Sequence, residues 1–447
     1  MRVLIVGAGQ VGFQLAKRLS EEDQDVVLID LDPDRTSYAA EQLDLLTVTG
    51  NGASLPVLEK AGLDGAGMLL AVTSRDESNI VACLLASRYA INPRVARISA
   101  PEYYEPGSPL AKELFGIDRV ISPEREVAWE TLQLLASEAA TEFVRFMDER
   151  IRLIGVRIRA GAPVEGKTMA DLGRELPDRR FVTVAIVRDG STQIPRGPSR
   201  IAAHDQVFLL TAAEELPAIA RLAGYERTEL RRVMIAGGNQ EAIYLAKHLA
   251  SHSVSCTILE RDRQRCLELA EQLPDALILH GDARDPELLE MEGVEGVDGF
   301  VAMTGQDSVN MLSGLLAKTM GARKVITLIH RTDYIPLVSR IGIDATVSPR
   351  MAAANAILRY VRRGGVRTVA TLKGVNAEAI EYEIGADAPI IDQPLKDVSF
   401  PKDGVIGAIL RGGEVITPRG DDVLKPGDRA FIFALPNAVA DIERLLA

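Results

Sequence analysis

"RVLIVGAGQVG", residues 2–12, is a short Val/Ile/Leu run that stops at three glycines spaced G-x-G-x-x-G and is followed by "FQLAKRL". That order reads as a strand, a tight turn and a helix. Gly7 permits the turn, Gly9 lets backbone approach a pyrophosphate, and Gly12 allows the helix to pack close against the strand. The helix start then offers unpaired N–H groups and positive partial charge to an anion. Asp30 ends the next strand-like run, eighteen residues past Gly12. A carboxylate there accepts from ribose hydroxyls, and its charge favours NAD or a plain adenosine nucleotide over NADP. The bland alternatives are a tight turn in an empty domain of this type and a carboxylate that caps the turn "DLDPD".

The same stretch returns as "RVMIAGGNQEA" at Arg232, and "QLAKRL" returns as "YLAKHL", both at an offset of 230. Downstream, "GNGAS" at Gly50 matches "GDARD" at Gly281, "AVTSRDESN" at Ala71 matches "AMTGQDSVN" at Ala302, and "GIDRVISP" at Gly116 matches "GIDATVSP" at Gly342. Ordered matches at a nearly constant offset mark a duplicated unit. In the second copy Gly237 survives, Asn239 stands in place of Gly9, Ala242 in place of Gly12, and Glu260 keeps the acid. A side chain at the middle glycine crowds a pyrophosphate, so a weaker or altered second site is expected.

Each unit divides again. Residues 1 to about 135 alternate "RVLIVGA", "DVVLID", "LLTVTG" and "MLLAVT" with helical stretches, the pattern of a parallel sheet with crossover helices. "EVAWETLQLLASEAATEFVRFM", residues 126–147, reads as one helix leaving this part. Beyond it, "LIGVRIRA", "FVTVAIVRDG" and "DQVFLLT" are short β segments between Gly and Pro turns, and "KPGDRAFIFALP" repeats their pattern near the end. The expected fold is α/β: two Rossmann-like parallel-sheet domains, each followed by a small α+β domain. The boundaries fall at 1–140, 141–226, 230–362 and 363–447.

Composition narrows the function. With 47% apolar and 26% charged residues the 447-residue chain is ordinary globular protein, and its net charge of −12 disfavours nucleic acid as partner. A redox-sensing DNA-binding repressor is disfavoured for that reason. Three cysteines without metal-ligand spacing point to a reducing compartment, and no apolar stretch is long enough to span a bilayer, so a cytosolic protein is expected. All five histidines lie beyond residue 203, leaving the better glycine loop in a domain without one. No Ser-His-Asp order, Cys-x-x-Cys pair or H-x-x-x-H spacing occurs, so no catalytic residue is assigned. The runner-up is an NAD-dependent oxidoreductase with an unrecognised base.

The duplicated large-small units, "GAGQVG" with Asp30, "AVTSRDESN", "ARISAPEYY" and "DRVISPE" together resemble the TrkA family, regulatory subunits of bacterial Trk potassium-uptake systems. The resemblance spans essentially the whole chain. It implies that the large domains are nucleotide-binding RCK (KTN) domains and the small ones RCK C-terminal domains. It also implies NAD(H) as ligand with ATP or ADP as further candidates, a homo-oligomer, and a membrane-embedded channel-like partner that keeps the protein at the inner face of the membrane. Carried over by position, nucleotide contacts fall on Gly7, Ala8, Gly9, Gln10, Val11 and Gly12, on Asp30, Asn51 and Gly52, on Thr73 and Ser74, and on Arg97. In the second half they fall on Gly237, Gly238, Asn239, Gln240 and Glu241, on Glu260, Gly281 and Asp282, and on Thr304 and His330. Glu124 matches a carboxylate that holds a divalent cation in some relatives, and a helix first-turn carboxylate is the plainer reading.

Overall fold

The computed structural model describes residues 1–21, 24–105, 115–146, 150–176, 179–226, 229–358, 360, 366–373, 375 and 377–446. The opening stretch forms β1 (Arg2–Val6), followed after the glycines by the helix Gln10–Glu21. β2 (Asp25–Asp30), β3 (Leu46–Thr49), β4 (Ala66–Ala71), β5 (Arg94–Arg97) and β6 (Arg119–Ile121) complete a six-stranded sheet in the order β3-β2-β1-β4-β5-β6. Its pairs are parallel, and its central strands are buried on both faces, which is why they are near-continuous Val, Ile and Leu. Strand order reverses between β1 and β4, the place where ligands sit at the carboxyl ends of such sheets.

β7 (Ala140–Phe146), β8 (Ile151–Arg157), β9 (Phe181–Arg188), β10 (Ser191–Gln193) and β11 (Gln206–Thr211) form a small antiparallel sheet. The single helix expected over 126–147 is therefore corrected. The helix Pro123–Leu135 stops, the Ala140 N–H bonds back to Ser137 O at 3.2 Å, and "ATEFVRF" continues as a strand. Its mixed burial and its Phe and Val content suit a pleated, half-buried edge better than another two turns of helix. Met147, the last residue of that expectation, and the 362/363 boundary lie outside the described residues.

The architecture then repeats. β12 (Arg232–Ala236), β13 (Ser255–Glu260), β14 (Ala276–His280), β15 (Gly299–Ala302), β16 (Lys324–Leu328) and β17 (Ala345–Val347) give a second parallel sheet in the same order as the first. β18 (Val366–Thr371), β19 (Glu378–Glu383), β20 (Gly404–Arg411), β21 (Glu414–Ile416) and β22 (Arg429–Ala434) give a second small antiparallel sheet. The protein thus has two Rossmann-like domains, each with a small antiparallel-sheet domain.

Compact units do not follow the chain halves. One comprises residues 1–126 with 349–360, the other 127–348 with 361–447. In the first, the helix Pro349–Leu358 packs on the helix Gln10–Glu21. In the second, the end of the helix Pro123–Leu135 lies against the second parallel sheet. A Cβ added at Gly299 would come within 2.3 Å of Leu135 Cδ2, and Lys324 Nζ donates to the carbonyls of Leu134 and Ala140 at 2.5 and 2.7 Å. This unit also holds one hydrophobic core built by both small sheets, in which Phe146, Leu153, Val184 and Phe208 meet Ala379, Ala408, Phe431 and Phe433. The Phe146 and Phe431 rings stand edge to face at 4.7 Å.

Candidate functional site

At the switch point of the first sheet the three glycines have different reasons to be glycine. Gly7 has φ +108°, and a Cβ there would come within 2.9 Å of the Thr73 N–H. One at Gly12 would come within 1.8 Å of Gly7 O. Both are dictated by the chain itself. At Gly9 nothing in the chain lies closer than 4.0 Å, the Arg35 guanidinium, so internal packing does not demand a glycine there.

Asp30 sits beside this loop. Its Oδ2 accepts the Ala8 N–H at 2.6 Å and its Oδ1 accepts the Asp32 N–H at 2.9 Å, with the side chain only 11% exposed. Each oxygen keeps a further lone pair for a hydroxyl. Gln10 is exposed at the helix start, while Ala8, Val11 and Gly12 are buried. Asn51 turns its Oδ1 onto the Ala53 N–H at 3.0 Å, and Gly52 is required by packing, since a Cβ there would meet Val6 Cγ1 at 2.1 Å. Thr73 closes the loop from β4 and Ser74 beside it is exposed.

Two side chains that hold this rim are absent from the expected set. Asn79, fully buried, accepts both the N–H and the Oγ1–H of Thr73 and donates to Arg97 O at 2.8 Å, tying the ends of β4 and β5 together. Asp76 accepts the Ser99 and Ala100 N–H groups at 3.0 and 2.8 Å. Asn310 does the same for Thr304 and Leu328, and Asp307 for His330 and Arg331. The signal was present: both residues recur in "TSRDESN" and "TGQDSVN".

Arg97 and Glu124 stand 3.9 Å apart, and Glu124 accepts from Ser99 Oγ at 2.9 Å and Ser122 Oγ at 3.1 Å. Among the described residues no group of three or more carboxylates, imidazoles or thiols converges as a metal site. The geometry gives Glu124 hydrogen-bond work within the first sheet's rim.

In the second half a cleft of about 400 Å³ opens at the same place, lined by Gly237, Gly238, Asn239, Glu260, Gly281, Asp282 and Thr304 of the expected set. Gln240, Glu241 and His330 are not among its lining residues, whereas Arg261 and Arg284, which the expectation lacked, are. Glu260 repeats Asp30, accepting the Gly238 and Asp262 N–H groups at 2.8 Å each. Arg284 grips Asp282 through two hydrogen bonds and holds its carboxyl down at about 2. His330 Nδ1 lies 2.9 Å from Asp307 Oδ1. Burial pushes the Asp307 carboxyl up, but the N–H groups of His330 and Arg331 and the imidazole outweigh it and keep the carboxyl below its usual range. Asn239 does not simply add bulk. Its Oδ1 caps the helix Gln240–Ser251 by accepting the Ala242 N–H at 3.0 Å, and its Nδ2 donates to Met303 O at 2.6 Å.

The TrkA-N domain model matches residues 3–123 and 233–349, and the TrkA-C domain model matches 153–224 and 379–447. The Trk system potassium uptake protein TrkA homolog 1 of Methanosarcina mazei is 37% identical over 453 residues, covering 99% of this chain and 99% of its own. Among solved structures, the GsuK RCK domain aligns with TM-score 0.61 at 18% identity, covering 100% of this chain and 94% of that one. The GsuK channel bound to NAD aligns with the same TM-score and identity, covering 100% of this chain and 78% of that one.

Proposed function

This chain belongs to the TrkA family of Trk-system potassium uptake proteins, and from that premise we propose that it is a regulatory subunit that senses a nucleotide at the first-half glycine loop and passes the signal to a membrane-embedded potassium-conducting partner. The observation that carries the nucleotide reading is Gly9: its neighbours in the chain leave room for a side chain, yet it is glycine at the point where a pyrophosphate would meet the helix start. The residues fit NAD(H) best. Ala8 to Gly12 would cradle the phosphates, Asp30 would take the ribose hydroxyl pair, and Thr73, Ser74 and Arg97 would border the other side. ATP and ADP share the adenosine part and are the alternative ligands. The GsuK structure solved with NAD supports the reading at the level of fold.

A sensed nucleotide needs no reacting partner. The first parallel-sheet domain has no histidine, and its rim carboxylates Asp30, Asp76 and Glu124 are engaged by backbone or serine donors. The domains divide at 1–140, 141–226, 230–362 and 363–447 on this reading, and repeated units suit a symmetric oligomer. No helix among the described residues is long and apolar enough to cross a membrane, so the membrane role runs through the partner. A ligand shifts such an assembly only by its differential affinity for two states.

The test is titration of the full chain with NADH, NAD, ATP and ADP, alongside potassium flux through the co-reconstituted partner. NADH is expected to bind without being consumed and to change flux. A Gly9→Asp variant, which puts bulk and like charge against the pyrophosphate, should lose both effects. Stoichiometric NADH oxidation dependent on a small organic substrate would restore the oxidoreductase alternative instead.

A further inference from the structure

The two clefts share the carboxylate that would receive a ribose and differ where phosphates would lie. Glu260 is braced as Asp30 is, by the N–H of the second loop residue and the N–H two residues on. At the helix start, Gly9 brings no side chain to its helix, so nothing from that position competes for the first-turn N–H groups. In the second half Asn239 consumes the Ala242 N–H and is pinned from its other end to Met303 O. A phosphate would have to displace a satisfied cap.

Among the nearby cations Arg261 lines the cleft, whereas two others are engaged by the chain itself. Arg284 points both of its hydrogen-bonding nitrogens at Asp282, at 2.9 and 2.6 Å. Arg265 donates to Gly238 O at 2.9 Å and pairs with Glu268 at 2.8 Å. The cleft itself is nonetheless open, with Gly237, Gly281 and Thr304 on its walls.

The geometry points to a second cleft that takes a ribonucleoside without a phosphate chain, and so to one chain carrying two sites of different ligand class; this rests on the nucleotide reading of the first-half cleft. Glu260 would accept the 2'- and 3'-hydroxyls, and the Asn239 cap would turn away the pyrophosphate.

The experiment is calorimetric titration of the full chain with adenosine and, separately, NAD. Wild type is expected to bind adenosine at two sites and NAD at one. Glu260→Gln should weaken one adenosine site by about tenfold or more, the loss of a charge-assisted hydrogen bond, and leave NAD unchanged. An Asn239→Gly variant should gain a second NAD site. Two NAD sites in wild type, one of them lost in Glu260→Gln, would overturn the proposal, as would adenosine binding indifferent to Glu260→Gln. Thermal melts confirm folding of each variant. Asp30→Ala separates the two readings: if NAD binding ignores Asp30, the first-half assignment falls, whereas the adenosine response to Glu260→Gln still decides the second cleft.

Discussion

Asn79 and Thr73 are joined three times: Asn79 Oδ1 accepts the Thr73 N–H at 2.9 Å and the Oγ1–H at 2.8 Å, and its Nδ2 donates to Thr73 O at 3.1 Å. The same amide reaches Arg97 O, so one buried side chain sets the spacing of two strand ends that border the cleft. Asn79→Ala leaves several of these groups unpaired, each at a cost of about 1–3 kcal/mol. The thermal midpoint should fall by several degrees and NAD affinity should drop together with it, read by calorimetry on the same sample. A variant that melts lower but binds NAD as wild type would limit Asn79 to a structural role.

Asp30 holds the glycine loop as well as facing a ribose. Asp30→Ala is expected to weaken NAD(H) binding by about tenfold or more, since a hydrogen bond to a charged group contributes about 1.5–3 kcal/mol. Unchanged affinity by isothermal titration would remove Asp30 from the site.

Two buried groups give the chain an unusual response to pH. Burial pushes the Glu142 carboxyl up from 4.5 to about 7, against the pull of Lys373, and burial pushes the Lys324 ammonium down from 10.5 to about 7. Between pH 4.5 and 7 the folded chain keeps a Glu142 proton that the unfolded chain has released, so this contribution to stability is lost as pH rises through 7. Between pH 7 and 10.5 the unfolded chain keeps a Lys324 proton that the folded chain has lost, so stability rises again with pH. For these groups neutrality is the least stable point. Urea midpoints at pH 5, 7 and 9 should show the dip. Glu142→Gln should flatten its acid side and Lys324→Met its alkaline side.

Phe431 belongs to the second half but packs against Phe146 of the first. Phe431→Ala should cost about 3–5 kcal/mol, as large core truncations do. Hydrogen exchange should then rise in β8, β9 and β11 as well as in β19, β20 and β22. An effect confined to residues 378–434 would mean that the shared core is not cooperative.

Much of this was legible in the chain. Val/Ile/Leu runs spaced by helical stretches announced both parallel sheets, the offset of 230 announced the duplication, and Gly237 and Glu260 lie on the wall of the second-half cleft. What stayed hidden depends on partners rather than on pattern. Residues 140–146 carry apolar side chains at positions that satisfy a helical reading, and only pairing with β8 makes them a strand. The alanine-rich run 349–358 suits a helix, but nothing in it names the helix Gln10–Glu21 as its partner. Asn79 and Asp76 are small polar residues in a helix, and their value lies in strand ends that the local sequence does not name. Lys324 looks like any strand-start lysine until the helix end above it is in place.

The core shared by both small sheets joins the two copies as covalently tethered halves that cannot dissociate. Two identical subunits would carry every substitution twice, so neither cleft could change without the other. Once joined end to end, the copies were free to drift apart, and Gly9 and Asn239 show that they did. Any assembly built from this chain therefore contains equal numbers of two unlike clefts at every protein concentration. A response to two separate signals can be written into it without a second gene product.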